Sequence, residues 1–388
     1  MIDPSDVAIC VGPDDPAPSA GSGPMSVPVY RTSLFGFPTF EALMEGLSAE
    51  HRHSVYTRGR NPTVGAAERK LAALEHGEAC LCFGSGMAAI SAVMLGLLEA
   101  GDRILFVNQV YGPTLELAEH LHRFGIEHDV VLEAAPAAVE RALRPDTRLL
   151  WLESPGTMLF RLADVAAVAA LARSHDLITC MDNSWATPLF QKPLDAGIDL
   201  VVHSASKYLG GHSDVMAGAV VGTAETLERL FYRSYLLNGG ILAPSEAWLL
   251  LRGLKTLPAR MRQHEADGLR VAEFLREHPA VRAVHHPAFA REPSAAEAGL
   301  RGCSGLFSFE LGHGGLDAVT AVIDRLKRFR IGVSWGGTES LVISPHRPGN
   351  DAELESRGLA PGLIRLSVGL EGADVLIEDL AAALDDGR

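Results

Sequence analysis

From residue 79 to residue 203, short apolar runs alternate with longer stretches of helical periodicity. The runs at 80–83, 104–108, 128–132, 148–153, 177–181 and 199–203 predict strands, and the stretches at 88–99, 114–124 and 165–174 predict helices. The strand runs are nearly continuous in apolar residues rather than alternating. Strands with that pattern belong to a mostly parallel sheet covered on both faces. Upstream, a helix is expected over 64–75 with Thr63 as its N-cap. Residues 27–56 are mixed, with Tyr30, Phe35, Phe37 and Phe40 but no sustained period, as in an arm that wraps over a neighbouring subunit.

Near residue 243 the pattern changes. A long helical stretch over 245–270 is followed by predicted strands at 281–285, 305–311, 332–341 and 363–368 and a helix at 316–329. That order suits a smaller α+β domain. The expected organisation is a flexible tail and arm over 1–55, an α/β domain over 56–243 and an α+β domain over 244–388. The tail covers about the first 25 residues, which are rich in Pro, Gly, Ser and Asp.

Composition narrows the function classes. Of the 388 residues 47% are hydrophobic and 21% charged, enough for a large core. The net charge is -14 and the 34 basic residues are scattered, which argues against a nucleic-acid surface. The five cysteines form neither a C-x-x-C pair nor a disulfide framework, and four of them, in apolar surroundings, read as small core residues of a reduced protein. No run approaches the ~18 apolar residues of a membrane span, and the N-terminus shows no basic-then-apolar signal. A soluble cytoplasmic enzyme, with no membrane or nucleic-acid partner, is expected.

The candidate chemistry gathers at strand ends. The run 200–203 stops in Ser204-Ala205-Ser206-Lys207, and open α/β sheets bind ligands at that carboxyl edge. A desolvated lysine loses its proton easily and becomes a nucleophile, although a solvated loop lysine would read the same way in isolation. Asp182 closes the preceding predicted strand, where a buried carboxylate needs a cation unless it serves only as a helix cap. Gly84-Ser85-Gly86-Met87-Ala88-Ala89 lies between a strand and a helix, where backbone N–H groups can close on an anion. The motif also fits a dinucleotide fingerprint, but the next strand ends in Asn108 rather than the acid that would hold a ribose. A phosphate cradle at Gly86, Met87, Ser204 and Ser206, a pyridinium partner at Asp182 and a Schiff-base amine at Lys207 together read as a pyridoxal phosphate site. His203, His212 and His264 lack ligand spacing, and no metal is expected.

The chain resembles the Cys/Met-metabolism family of pyridoxal-phosphate enzymes, which includes cystathionine β- and γ-lyases, cystathionine γ-synthase and methionine γ-lyase. The resemblance runs from about Val27 to the C-terminus. It is carried by Ser204-Ala205-Ser206-Lys207-Tyr208-Leu209-Gly210-Gly211-His212-Ser213-Asp214, Tyr56-x-Arg58-x-x-Asn61-Pro62-Thr63, Met181-Asp182-Asn183-Ser184, Leu251-Arg252-Gly253-Leu254-Lys255-Thr256-Leu257 and Ser334-Trp335-Gly336-Gly337-x-Glu339-Ser340. It implies the aspartate-aminotransferase-like fold of type I enzymes, with Lys207 as the Schiff-base lysine, Asp182 on the pyridinium and Tyr111 stacked on the ring. Tyr111 and Tyr56 are implied beside Lys207 in catalysis. Tyr56 and Arg58 would reach the phosphate in the neighbouring subunit, making the active unit a dimer, paired into a homotetramer. Arg365 would grip the substrate carboxylate, with Ser334 and Trp335 beside it.

Within the family, Trp335 in Ser-Trp-Gly-Gly, the stretch Asp182–Phe190 and Arg260-x-Arg262-Gln263-His264 resemble bacterial β-lyases. Gly112-Pro113 after Tyr111 departs from the cysteine that methionine γ-lyases carry there. Conversely, Asn61-Pro62-Thr63 resembles γ-acting members. Val333 stands where β-lyases tend to carry an aromatic and several γ-enzymes a Glu, and Thr157 replaces an Asn that would help position the cofactor. The resemblance implies β-elimination on L-cystathionine or a related cysteine S-conjugate, giving a thiol, pyruvate and ammonia, in methionine biosynthesis. γ-Elimination or γ-replacement is the alternative, and a non-catalytic or NAD-binding Rossmann protein the remote one.

Overall fold

In a computed structural model, residues 2–14, 24–291 and 293–385 are described. The first sheet comprises β1 (Ala79–Phe83), β2 (Arg103–Val107), β3 (Glu127–Val131), β4 (Thr147–Glu153), β5 (Ile178–Asp182), β6 (Leu200–His203) and β7 (Gly218–Gly222), in the order β1-β7-β6-β5-β4-β2-β3. The pairings β3–β2, β2–β4, β4–β5 and β5–β6 are parallel, whereas β7 runs antiparallel to both β6 and β1. The large, mostly parallel sheet is the one expected of a type I fold.

Side chains alternate across the sheet because the strand period is two. Leu149 and Trp151 of β4 join a core cluster with the Gly86–Leu97 helix, while Leu150 and Leu152 join the cluster beneath the Val165–Ser174 helix. Both faces are therefore covered, which explains the unbroken apolar runs. The unforeseen strand is β7: its Gly-Ala-Val-Val-Gly sequence has neither length nor alternation to mark it. Its first glycine is obligatory, since a Cβ on Gly218 would lie 2.1 Å from the Ser85 carbonyl oxygen.

The Pro244–Glu277 helix leads from the first sheet to the second and, at 34 residues, spans about 50 Å. The second sheet holds β8 (Val281–His285), β9 (Leu306–Leu311), β10 (Arg330–Ile331), β11 (Leu341–Ile343) and β12 (Leu363–Ser367), in the order β10-β11-β12-β9-β8. The predicted strand at 332–341 is mostly loop. Positive φ at Ser334 (79°) and Gly336 (85°) takes the backbone out of the extended region between β10 and β11.

The expected tail is corrected at its start. Pro4–Val11 is a helix, capped by Asp3, with Asp6 and Cys10 buried. The composition of the first 25 residues hid it, because Ile2, Val7 and Cys10 are diluted by the polar stretch that follows; residues 15–23 lie outside the described residues. Its anchor is electrostatic: Lys192 Nζ lies 2.7 Å from the Asp6 carboxylate, with both side chains buried, and also donates to the Leu74 carbonyl. Further along, Lys70 and Lys255 each approach the Asp14 carboxylate at 2.9 Å. Thr63 is likewise not the N-cap. Asn61 caps the Pro62–Glu75 helix, its Oδ1 accepting from Thr63 N at 3.0 Å. The Thr63 hydroxyl instead donates to the Pro28 carbonyl and accepts from Tyr30 N, which fastens the 27–30 segment to this helix. No helix among the described residues is long and apolar enough to cross a membrane.

Removing one partner of a buried ion pair typically costs about 3–5 kcal/mol. Lys192→Met keeps the methylene stem but strands the Asp6 carboxylate. Backbone hydrogen exchange over residues 4–11 should accelerate by at least tenfold, and unchanged exchange there would mean the pair does not anchor the helix.

Candidate active site

Parallel strands place their carboxyl ends on one edge, and the unusual side chains collect there. Glu153 ends β4, Asp182 ends β5, and the two are direct partners in the strand register. Lys207 follows β6 by one short turn, its N–H bonding back to the Ser204 carbonyl. Two carboxyl groups and an amine thus meet where the sheet stops.

The two acids are satisfied differently. Glu153 is buried, and its Oε1 accepts a hydrogen bond from Tyr111 N at 2.7 Å. Burial lifts its carboxyl well above the usual range, and the neighbouring Asp182 adds to the shift. Asp182 is only part-buried, with Oδ1 accepting from Ser184 N at 2.9 Å. Desolvation raises its carboxyl too, against the hydrogen bonds of Ser184 and the influence of His203 and Lys207. Among the described residues Asp182 forms no ion pair. It is an acid prepared for a cation.

Opposite stands Lys207, whose Nζ donates to the Ser334 hydroxyl and lies 5.6 Å from the centroid of the Trp335 ring. Burial lowers its pKa, and the Arg365 charge lowers it further while Asp182 opposes. A proton is held loosely on that nitrogen. Arg365, on β12, donates to the Ser334 carbonyl at 3.2 Å. Desolvation pushes its guanidinium down to about 10 and Tyr111 acts in the other direction. Ser334 therefore links the amine of the first sheet to the arginine of the second. The loop is seated closely: a Cβ on Gly336 would lie 2.8 Å from the Tyr208 backbone nitrogen. Trp335 and Tyr208 pack ring to ring at 5.4 Å.

At the other end of the site, the Gly86–Leu97 helix begins against the segment after β6. Ser85 caps it, its hydroxyl accepting from Ala88 N at 3.0 Å. A Cβ on Gly86 would lie 2.9 Å from both Cβ and Oγ of Ser204, so only glycine lets the helix start this near. The first N–H groups of a helix have no partner within it and carry partial positive charge. Ser204 N is tied to the Ser184 hydroxyl at 2.6 Å and Ser206 Oγ accepts from Ala217 N at 2.9 Å, which fixes this turn beside the helix start. Met87 is part-buried and packs on the core. Free N–H groups at a helix start are a setting that favours an anion.

Sequence reasoning brought Gly86, Met87, Tyr111, Asp182, Ser204, Ser206, Lys207, Ser334, Trp335 and Arg365 to this edge. Tyr56 and Arg58 are not in contact with the group. Both are exposed, and the Arg58 guanidinium sits 5.6 Å from the Tyr56 ring centroid. Two further residues at this edge are not assigned to the site by the sequence. Glu153 ends an apolar run as Asp182 does, and that shared pattern was the available signal. Asn108 adopts φ 71° and donates from Nδ2 to the Glu153 and Arg161 carbonyls at 2.8 Å. Thr157 lies in the same corner, its N–H bonded to the Gln109 carbonyl at 2.8 Å.

A family model described as Cys/Met metabolism PLP-dependent enzyme matches residues 10–385. An L-methionine gamma-lyase of Treponema denticola is 39% identical over 373 residues, covering 94% of this chain and 93% of that protein. A cystathionine gamma-lyase of Bacillus subtilis is 38% identical, covering 94% of this chain and 95% of its own. The cystathionine beta-lyase MetC of the same organism is also 38% identical, with 94% and 93% covered.

The Glu153 carboxyl supplies a sign-defined test. Its pKa is raised in the folded chain, so its contribution is fully present below its ordinary value of 4.5 and is lost as the pH rises through the folded value. Glu153→Gln removes that titration and keeps an oxygen to accept from Tyr111 N. The melting temperature of the variant minus that of the parent should increase from about pH 5 to about pH 8. A difference constant with pH would contradict the assignment.

Proposed function

The chain belongs to the Cys/Met metabolism PLP-dependent enzymes, and from that premise we propose that it is a carbon–sulfur lyase acting on an L-amino acid with a sulfur-bearing side chain. The residues present fit the cofactor. Among the described residues Asp182 has no ion-pair partner, which suits a pyridinium, and Gly86 lets the helix start lie against Ser204, which brings its free N–H groups to the turn after β6 and suits a phosphate. Gly86, Met87, Ser204 and Ser206 would hold that phosphate, Tyr111 would lie on the ring and Lys207 would carry the covalent link. Pyridoxal phosphate, when bound, supplies an electrophilic carbon and a sink for electrons from the substrate Cα.

What carries the reading is the Ser334 bridge between a weakly basic Lys207 and Arg365. Arg365 would take the substrate carboxylate through its two-pronged guanidinium. That grip sets the Cα–H bond toward Lys207 Nζ. The amine, its pKa lowered by burial and by the Arg365 charge, is disposed to accept the Cα proton. Trp335 shields one side of the amine from water.

For the cleavage itself the first reading is β-elimination on L-cystathionine or a related cysteine S-conjugate. The bond from Cβ to sulfur breaks as the Cα proton leaves, so that the sulfur departs as a thiol, and water then converts the released aminoacrylate to pyruvate and ammonia. This chemistry asks the chain for one base at Cα. Val333, 76% exposed, offers no acid or base beside Ser334, which suits that minimal requirement. γ-Elimination, which needs a second proton removed at Cβ, is the second reading. The gamma-lyases of Treponema denticola and Bacillus subtilis, no less similar than the beta-lyase, favour it. A site completed across a dimer by Tyr56 and Arg58 accords with their exposure and their distance from the other residues.

Incubating the PLP-loaded protein with L-cystathionine tests the branch. Pyruvate with homocysteine supports the first reading, and 2-oxobutyrate with cysteine replaces it with the second. Neither product, together with inactivity on L-methionine, would overturn the lyase proposal. Lys207→Ala should lower turnover by at least about 10²–10⁴-fold, the contribution of a positioned base. Arg58→Ala should weaken retention of the cofactor on dialysis, and unchanged retention would remove Arg58 from the phosphate site.

A further inference from the structure

Away from the carboxyl edge, a second group of side chains has ligand chemistry. The Gly112–Leu121 helix passes into the 3₁₀ turn His122–Phe124 and the chain returns as β3, the outer strand of the first sheet. This return carries Glu119, His122, Glu127 and His128 to one patch at the beginning of β3, the opposite end of that strand from the one nearest the candidate active site.

His122 Nε2 and His128 Nδ1 lie 3.0 Å apart, with the rings stacked at 4.9 Å and an interplanar angle of 27°. Phe106, in the core, meets the His128 ring edge-on at 5.8 Å and fixes its orientation. One donor atom from each of Glu119, His122 and His128 lies within 4.8 Å of the other two. Glu119 Oε2 is 3.6 Å from His122 Nδ1, and Glu127 Oε2 is 3.6 Å from His122 Nε2. Two imidazoles this close repel if both are protonated. Burial, and then the nearby His122, lowers the pKa of His128, which favours the neutral form that binds metals.

Imidazole nitrogens on one tetrahedral ion, at bonds of about 2.0–2.1 Å, stand roughly 3.3 Å apart. The observed separation needs only a small adjustment to admit the ion. Two imidazoles and a carboxylate are a donor set for borderline late first-row cations, whereas magnesium and calcium prefer oxygen throughout.

We propose that Glu119, His122 and His128 form a binding site for a late first-row divalent cation, with zinc as the type ion. Glu127 lies close enough to complete the coordination or to offset the charge from outside it. The bound ion clasps the outer strand to the turn that precedes it. The site is separate from the catalytic edge and takes no part in carbon–sulfur cleavage.

The test uses full-length PLP-loaded protein, stripped with a chelator, without thiol-releasing substrate. Equilibrium dialysis against zinc chloride at micromolar concentration should retain one ion per chain. The His122→Ala/His128→Ala double variant should bind at least tenfold more weakly, and Glu119→Gln should weaken binding by a smaller factor. Turnover and the cofactor absorbance should not change. Magnesium should not compete. Cobalt(II) loaded into the unaltered protein gives a readout free of folding effects: tetrahedral ligand-field bands that zinc abolishes. No retained zinc, equal affinity in a folded double variant, or cobalt bands without tetrahedral character would each overturn the proposal.

Discussion

The active edge is organised around a charge imbalance at the end of β5. Asp182 sits where desolvation opposes its ionisation, with hydrogen bonds from Ser184 and no ion pair among the described residues. Beside it Glu153 has a partner of its own in the Tyr111 amide. A second carboxyl so near would discourage Asp182 from ionising if both competed for the same space. The strand register puts the two carboxyls on the same face, and Glu153 answers with the hydrogen bond that its Oε1 accepts from Tyr111 N. Asp182 is left without an ion-pair partner among the described residues, which suits a cation brought from outside the chain. Its fit to pyridoxal phosphate follows from this unmet requirement, because a protonated ring nitrogen removes the cost of the buried carboxylate.

The opposite half of the edge depends on joining two separately built sheets. Lys207 belongs to the turn after β6 and Arg365 to β12, so their relation is set by the contact between sheets. Ser334 makes that contact specific, accepting from Lys207 through its hydroxyl and from Arg365 through its carbonyl. Its left-handed backbone at φ 79° is a conformation an L residue rarely takes. Gly336 follows, placed where a side chain would strike Tyr208 N. The strained loop is therefore what allows one residue to touch both functional cations. Their mutual repulsion in turn helps to hold the Lys207 proton loosely.

Much of this edge was legible because charge at the end of an apolar run is costly and so carries information. Lys207 and Asp182 stood out on that ground, and Glu153 could have. Gly86 was marked by its place between a strand and a helix, and its reason, the approach of Ser204, appears only in three dimensions. Strand β7 left no trace because five small and apolar residues fit a strand, a buried turn or a helix end equally. The Pro4–Val11 helix was obscured by averaging, since its ion-pair partner Lys192 lies far away in sequence. The 332–340 loop read as a strand because its apolar residues were counted without the backbone that Ser334 and Gly336 impose. The zinc-type cluster was missed for a related reason. Glu119 and His122 are one turn apart, but His128 joins them only when β3 folds back.

The comparison with relatives bears on chemistry in a particular way. A beta-lyase and two gamma-lyases are each 38–39% identical to this chain over nearly its whole length. Such even similarity is expected if the shared residues serve the shared step. On the proposed reading, both eliminations begin with the carboxylate at Arg365 and the Cα proton passed to Lys207. They part only afterwards, when γ-cleavage requires proton removal at Cβ and β-cleavage does not. The side chains able to decide the outcome are thus those beside Lys207 that the first step does not use. In this chain they include the exposed Val333, next to Ser334, and the Trp335 ring. An aliphatic side chain at 333 can shape the space for the leaving sulfur but cannot carry a proton. On the proposed reading, a second proton transfer would have to come from a group other than the side chain at 333.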